Sequence, residues 1–232
     1  MTEPTAFLRR YFAEPNSVGA VAPSSRWLVA ALTAPVAARS GPASILEVGA
    51  GTGAVTRRLA ELLGPEDRLD ICEVDPTFVR MLETTILSSA PLAIGREQGR
   101  VRLLHCPLQE INTARAYDYV ISGLPLTAFR SEDVQKILET IRLSLRPGGV
   151  FSYFEYVGLR RLGALLPRRR SRHRVRAVSR LLDQHIRDYQ VDRRTILRNV
   201  PPAYARHWRF DPQPGHSSQP PGLNPSIDAP LA

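Results

Sequence analysis

An α/β fold, built on a mostly parallel sheet with helices on both faces, is what this chain predicts, and three observations predict it. Strand and helix periods alternate from residue 43 onward. A short apolar strand at Ile45 to Val48 runs directly into a glycine-spaced turn, Gly49-Ala50-Gly51-Thr52-Gly53. Two further strand-like runs, separated by Pro201-Pro202, follow the last helix and add a closing antiparallel hairpin.

The expected strands lie at about 44 to 48, 68 to 74, 100 to 105, 117 to 122 and 149 to 156, with helices at about 53 to 63, 76 to 89 and 131 to 145. After the glycine turn, the helix from about Ala54 to Leu63 points its N-terminal amides at the space beside the turn. The second strand closes in Ile71-Cys72-Glu73-Val74-Asp75, and Asp75 stands where it can cap a helix starting at Pro76. The fourth strand ends in Ser122-Gly123-Leu124-Pro125-Leu126. Leu145 to Phe151, LRPGGVF, reads as a helix stop and strand start. A basic helical stretch at roughly 172 to 189 precedes the two final strands, 193 to 199 and 203 to 210.

Length allows one domain of this kind plus extensions, and 43% hydrophobic residues suffice for a core. Residues 1–40 read as an N-terminal helical segment on the membrane or substrate side. Residues 41–210 form the nucleotide-binding domain, with a basic helical insertion at about 160–190. Residues 211–232 carry six prolines and no apolar period, the composition of a disordered tail. The net charge of +9 is almost wholly arginine, Lys136 being the single lysine, and arginine favours fork-shaped contacts to phosphate or carboxylate. Cys72 and Cys106 lack metal-ligand spacing and read as buried thiols of a reducing compartment. Neither an apolar run of spanning length nor a signal peptide is recognisable, so the expectation is a cytoplasmic protein, peripheral on the inner face of the membrane.

The chemistry concentrates at the carboxyl ends of the expected strands. Gly49, Gly51 and Gly53 let the backbone turn sharply and approach a ligand. Glu73 lies twenty residues past Gly53, where a carboxylate can accept from two ribose hydroxyls. Glu47 has two readings: holding the amides of the turn, or meeting the charged amino group of a methionine moiety. Gly49, Gly51 and Ala54 also satisfy a looser dinucleotide fingerprint, so an NAD enzyme stands beside a methyl-donor enzyme. The forty residues before the first strand and the closing hairpin favour the methyl donor. Ser122 with the backbone carbonyls of Leu124 and Pro125 suits an amine nucleophile, because such acceptors orient N–H groups and aim the nitrogen lone pair.

The segments SVGAVAPSSRWL at 17 to 28, LEVGAGTG at 46 to 53, CEVDP at 72 to 76, ISGLPLTAF at 121 to 129 and RNVPPAYARHW at 198 to 208 together resemble the bacterial phospholipid N-methyltransferases. The resemblance spans most of residues 7 to 210. It implies a Rossmann-like class I methyltransferase with a seven-stranded sheet, S-adenosylmethionine as cofactor, kinship with ribosomal RNA adenine dimethyltransferases, and a membrane aminolipid as substrate. Phosphatidylethanolamine is the first expectation and ornithine lipid the alternative, with an rRNA adenine N-methyltransferase or a noncatalytic lipid-binding relative as further alternatives. The implied cofactor-binding set is Ser24, Ser25, Glu47, Gly49, Gly51, Gly53, Glu73, Leu108 and Ser122. Two departures stand out. Pro107, in His105-Cys106-Pro107-Leu108, stands where the family has an acidic residue for adenine, which leaves backbone or Gln109 for that task. The run SYFEY at 152 to 156 departs from the glutamine-containing version of phosphatidylethanolamine enzymes.

Candidate catalytic groups on the acceptor side are Tyr153, Tyr156 and Ser122, with Tyr11 and Glu155 nearby; no metal is called for. The candidate substrate and membrane contacts are Arg9, Arg10, Tyr11, Leu124, Pro125, Arg168, Arg169 and Arg170. Aromatic and aliphatic residues beside Arg9 and Arg10 suit an interfacial helix. In the second basic stretch, Leu162, Leu165, Leu166, Val175 and Val178 interleave with arginines, which fits a helix on an anionic lipid surface. Nucleic acid is the weaker reading, because no aromatic stacking platform accompanies the arginines. No stable protein partner is implied.

Overall fold

The structure, a computed structural model, describes residues 24–111, 114–159 and 169–210, the stretch 169–172 by its backbone alone. It opens on two short helices, α1 (Arg26–Leu32) and α2 (Ala34–Ala37), and continues as β1 (Ser44–Val48), α3 (Ala54–Leu62), β2 (Arg68–Cys72), α4 (Pro76–Thr85), α5 (Leu92–Glu97), β3 (Val101–Leu104) and β4 (Tyr117–Ser122). It ends in α6 (Ser131–Ser144), β5 (Leu145–Tyr156), α7 (Arg169–Tyr189), β6 (Gln190–Ile196) and β7 (Ala203–Trp208). The strands form one seven-stranded sheet in the order β3-β2-β1-β4-β5-β7-β6. The first five strands run parallel, and β7 pairs antiparallel with both β5 and β6. The Rossmann-like sheet and its closing hairpin are as the alternation and the Pro201-Pro202 break predict.

Two apolar layers enclose the sheet. On one face Leu28, Val29 and Leu32 of α1 pack with Ile45, Leu59, Leu69 and Leu82. On the other, Val134, Leu138 and Ile141 of α6 meet Leu46, Val120, Phe151, Val178 and Trp208. Period-2 alternation along β5 divides its side chains between these layers, Phe151 and Tyr153 to one and Phe154 to the other.

Several boundaries differ from expectation. The helix expected at 76 to 89 stops at Thr85, and α5 begins only after Pro91, whose missing N–H cannot continue a helix. β5 starts at Leu145 and not at 149, because a register shift between Tyr117 and Tyr119 absorbs the Pro-Gly-Gly segment into the strand. β6 lies three residues earlier than expected. Within the expected N-terminal segment, α1 packs against β7, β5 and α3. The N-cap of α1 is Ser25, whose Oγ accepts from Leu28 N at 3.3 Å.

The basic helix α7 also differs from its expected role. Val175 and Val178 are buried with Leu182, and the helix packs on α6 and on the short turn Leu126–Ala128. These apolar residues therefore cover the protein's own core and are not free to meet lipid. Leu162, Leu165 and Leu166 lie outside the described residues, as does the segment 211–232. No described helix is long and apolar enough to cross a membrane.

Candidate active site

The site is built where β1 and β4 lie side by side and their chains leave the sheet. Gly49 N donates to Cys72 O and Gly123 N to Val48 O, each at 2.8 Å, so three chain segments converge within one peptide width. Close approach explains the glycines individually. A Cβ on Gly123 would stand 2.4 Å from Gly49 O, and one on Gly49 would stand 2.5 Å from Leu124 Cδ2. At Gly53 the obstruction is Ile86, at 2.1 Å. Only Gly51, at φ +54°, faces open space. Of the three predicted glycines, two are therefore demanded by the protein's own packing, and Gly51 alone opens onto room for a ligand.

Glu73 is buried at the end of β2 and holds this turn. Its Oε2 accepts from Gly51 N at 2.8 Å, while Oε1 accepts from Val74 N at 2.8 Å and Asp75 N at 2.9 Å. Burial raises its pKa, against the lowering effect of those amides. Glu47, 1% exposed, accepts from the Thr56 hydroxyl at 2.8 Å. Burial pushes its pKa up to about 8, opposed by Thr56 and reinforced by Glu73. Asp75 caps α4, accepting from Thr77 N at 2.7 Å.

Ser122 is fully buried, and its Oγ accepts from Leu124 N at 3.1 Å, which folds the Ser-Gly-Leu-Pro segment over the glycine turn. Leu124 and Pro125 are buried beside it. Leu108 is buried too, in the turn Leu108–Glu110 that Pro107 starts, while Gln109 is exposed. Ser25 N donates to Asn199 Oδ1 at 3.0 Å, and Asn199 Nδ2 to Pro201 O at 2.7 Å. The PSS and NVPPA segments, 174 residues apart, are thus one joint in space. Ser24 is half-buried next to it. Sequence reasoning did not single out Asn199, Thr56 or Gly123 as site-forming residues; Asn199 and Gly123 lay within the quoted segments NVPPA and SGLPL, and Thr56 carried no signal.

The catalytic candidates separate. Tyr153 is 1% exposed, stacked on Phe151 at 5.4 Å and edge-on to Trp208 at 4.7 Å. That is the setting of a packing residue, sealed from an amine at the sheet edge, and it argues against a base role. Tyr156, at the end of β5, is half-buried, and burial raises its pKa. Glu155 lies 3.3 Å from Arg206 Nε. Arg9, Arg10, Tyr11 and Arg168 lie outside the described residues, and Arg169 and Arg170 are described by backbone alone. Among the described residues, no group of His, Cys, Asp and Glu is placed to hold a metal.

A glycine turn with open room at Gly51, a carboxylate closing β2, and a sheet ending in an antiparallel hairpin define a class I methyltransferase site. The comparisons agree: residues 45–149 match the family model described as a methyltransferase domain. The chain is 31% identical over 146 residues to the ornithine lipid N-methyltransferase of Singulisphaera acidiphila, covering 63% of this chain and 74% of that one. Among solved structures it is similar to the 1,6-didemethyltoxoflavin N1-methyltransferase of Burkholderia thailandensis with bound S-adenosylhomocysteine. That likeness has a TM-score of 0.55 at 20% identity, over 89% of this chain and 88% of the other. It is also similar to the N-methyltransferase NodS of Bradyrhizobium japonicum in complex with S-adenosylhomocysteine, with a TM-score of 0.51 at 16% identity over 78% and 83%.

The chain belongs to the class I S-adenosylmethionine-dependent methyltransferases, and S-adenosylmethionine is its cofactor. These relatives lend no support to a kinship with ribosomal RNA adenine dimethyltransferases.

Proposed function

We propose that this protein methylates the terminal amine of an ornithine-type membrane aminolipid. The observation that carries the reading is the 31% identity to an ornithine lipid N-methyltransferase over 74% of that enzyme. It favours ornithine lipid over phosphatidylethanolamine, in line with the departure at residues 152 to 156.

The cofactor supplies an electrophilic methyl group, so the chain's own work is positioning. Gly51 leaves room for the nucleoside, and Glu73 stands at the β2 end where ribose hydroxyls would be received. Glu47 is the candidate partner of the ammonium group of the methionine moiety. On the acceptor side, Leu124 O and Pro125 O already accept from Leu126 N at 2.9 Å and Ala128 N at 2.8 Å, and the second lone pair of each carbonyl is what would orient the amine. An alkylammonium of pKa roughly 10 first loses a proton, which partial desolvation makes easier. Bound beside Gly51, the cofactor would supply a methyl group to the lone pair so aimed and would leave as S-adenosylhomocysteine, the lipid carrying away the positive charge as a methylated ammonium. In this scheme Tyr153 serves as packing, and Tyr156 is the remaining hydroxyl at the end of β5.

Access to lipid is supported by the joint between α1 and the β6–β7 hairpin. Leu197 and Val200 are 75% and 78% exposed, and Trp27 beside them is flanked by Arg26 at 4.5 Å and Arg198 at 5.0 Å. Exposed apolar side chains with two arginines at the neighbouring Trp27 suit the interface of an anionic bilayer. The test is transfer of labelled methyl to liposomes carrying ornithine lipid or phosphatidylethanolamine, with ribosomal RNA in parallel. Label in ornithine lipid is the expected outcome. Label confined to phosphatidylethanolamine or to RNA would sink the reading.

A further inference from the structure

Beyond Tyr156, between α7 and the closing hairpin, lies a groove of about 680 Å³, within the size range of small-ligand sites. Four arginines line it, Arg176 and Arg180 from α7, Arg193 from β6 and Arg206 from β7, against two carboxylates, Glu155 and Asp183. Two features of these arginines oppose the ordinary arrangement of surface charge. Arg176 and Arg180 are four residues apart on one helix, so they share a face, and like charges at that spacing repel. Arg193 and Arg206 are directly opposed across β6 and β7, where like charges are also destabilising.

The second pair is held in place. Arg206 is 5% exposed, its Nη1 donates to Gln190 Oε1 at 2.6 Å, and its Nε lies 3.3 Å from Glu155. The Arg193 and Arg206 guanidiniums each stand 5.1 Å from the same Tyr204 ring. Glu155 pairs with Arg206, and among the described lining residues the four arginines outnumber the two carboxylates by two. An anion that bridges the helix and the hairpin relieves both repulsions at once.

The groove also sits at the right edge of the sheet. Ser122 pairs with Tyr153 and Tyr153 with Arg206, while Glu155 lies two residues further along β5 toward its carboxyl end. Arg206 is therefore two strand spacings, about 10 Å, from Ser122. Resting on the function proposed above, we infer that this groove receives the carboxylate of the acceptor headgroup. An ornithine headgroup carries a free carboxylate at one end and the reacting amine at the other, so anchoring the first on the arginines directs the second toward Leu124 and Pro125. Arginine is suited to the task, because its planar fork matches a carboxylate bidentately.

The test uses the full chain saturated with S-adenosylhomocysteine and three soluble probes: N-hexanoyl-ornithine, its carboxyl methyl ester, and dihexanoyl phosphatidylethanolamine. Binding by calorimetry is compared between wild type and the Arg180→Gln/Arg193→Gln double variant, both exposed positions whose melting temperature is checked alongside. Wild type is expected to prefer the acid over the ester and the phospholipid. The double variant is expected to lose tenfold or more for the acid alone. Undiminished binding of the acid by the variant, equal binding of acid and ester, or no binding of the acid by wild type would overturn the groove. If wild type binds the acid through these arginines yet moves no labelled methyl to ornithine lipid, the groove stands and the proposed reaction falls.

Discussion

Glu47 spends the unliganded state largely neutral at pH 7, because burial lifts its pKa to about 8. Its proposed role beside the ammonium of the cofactor requires the charged form, so binding must expel a proton. The affinity for S-adenosylhomocysteine is therefore expected to rise between pH 6 and 8, by up to about tenfold per unit for one proton. It should turn over where the ligand's own amine, of pKa about 8, loses its charge. Calorimetry in two buffers of different ionisation enthalpy reads the released proton directly, and Glu47→Gln should bind more weakly with a flat profile below pH 8. A wild type that releases no proton would assign Glu47 to local support of Thr56 alone. Sequence spacing could present Glu47 as a candidate but not choose its role, because that choice depends on burial. The same holds for Gly49, Gly51 and Gly53, which look equivalent in the sequence and differ only in what faces the missing Cβ.

At the scale of elements, amphipathic periodicity announced α7 correctly but not what would cover its apolar stripe. Val175, Val178 and Leu182 face the sheet and α6, so the arginines between them project from a helix already committed to the core. The β6–β7 hairpin was legible from its proline break, yet its exposed tip was not, since Leu197 fell within the expected strand 193 to 199 and Val200 in the break itself. Their exposure makes a separable test of membrane contact. Leu197→Ser/Val200→Ser should reduce partition onto anionic vesicles tenfold or more, since fully burying each such side chain is worth about 1.5–3 kcal/mol. Melting temperature and turnover of a soluble short-chain acceptor should stay unchanged, because neither side chain packs internally. Equal partition of variant and wild type in a vesicle co-sedimentation assay would place the membrane contact elsewhere on the chain.

Across the whole molecule, two buried groups set opposite limits on stability with pH. His207 is buried under α1, its Nδ1 2.8 Å from Ser152 Oγ, and burial pulls its pKa down to about 4. Its contribution is complete above the unfolded value near 6.5 and is lost as pH falls toward 4. Glu47 works in reverse: its contribution is complete below the unfolded value near 4.5 and is lost as pH rises through about 8. Between 4.5 and 6.5 the two slopes, each about 1.4 kcal/mol per pH unit, cancel. Glu73, also raised by burial, adds to the alkaline loss and moves the maximum toward the acid end of that interval. Below it, protonation of surface carboxylates adds self-repulsion to a chain already at +9. Unliganded protein is therefore expected to be most stable near pH 5 and to weaken steadily toward pH 8. Urea unfolding from pH 4 to 8 measures this, with Glu47→Gln flattening the alkaline limb and His207→Gln the acid limb. Saturating S-adenosylhomocysteine should shift the maximum upward, because a bound ammonium stabilises the very charge on Glu47 that burial disfavours. A maximum that stays near pH 5 with ligand bound would separate Glu47 from the cofactor, leaving its burial as a purely structural cost.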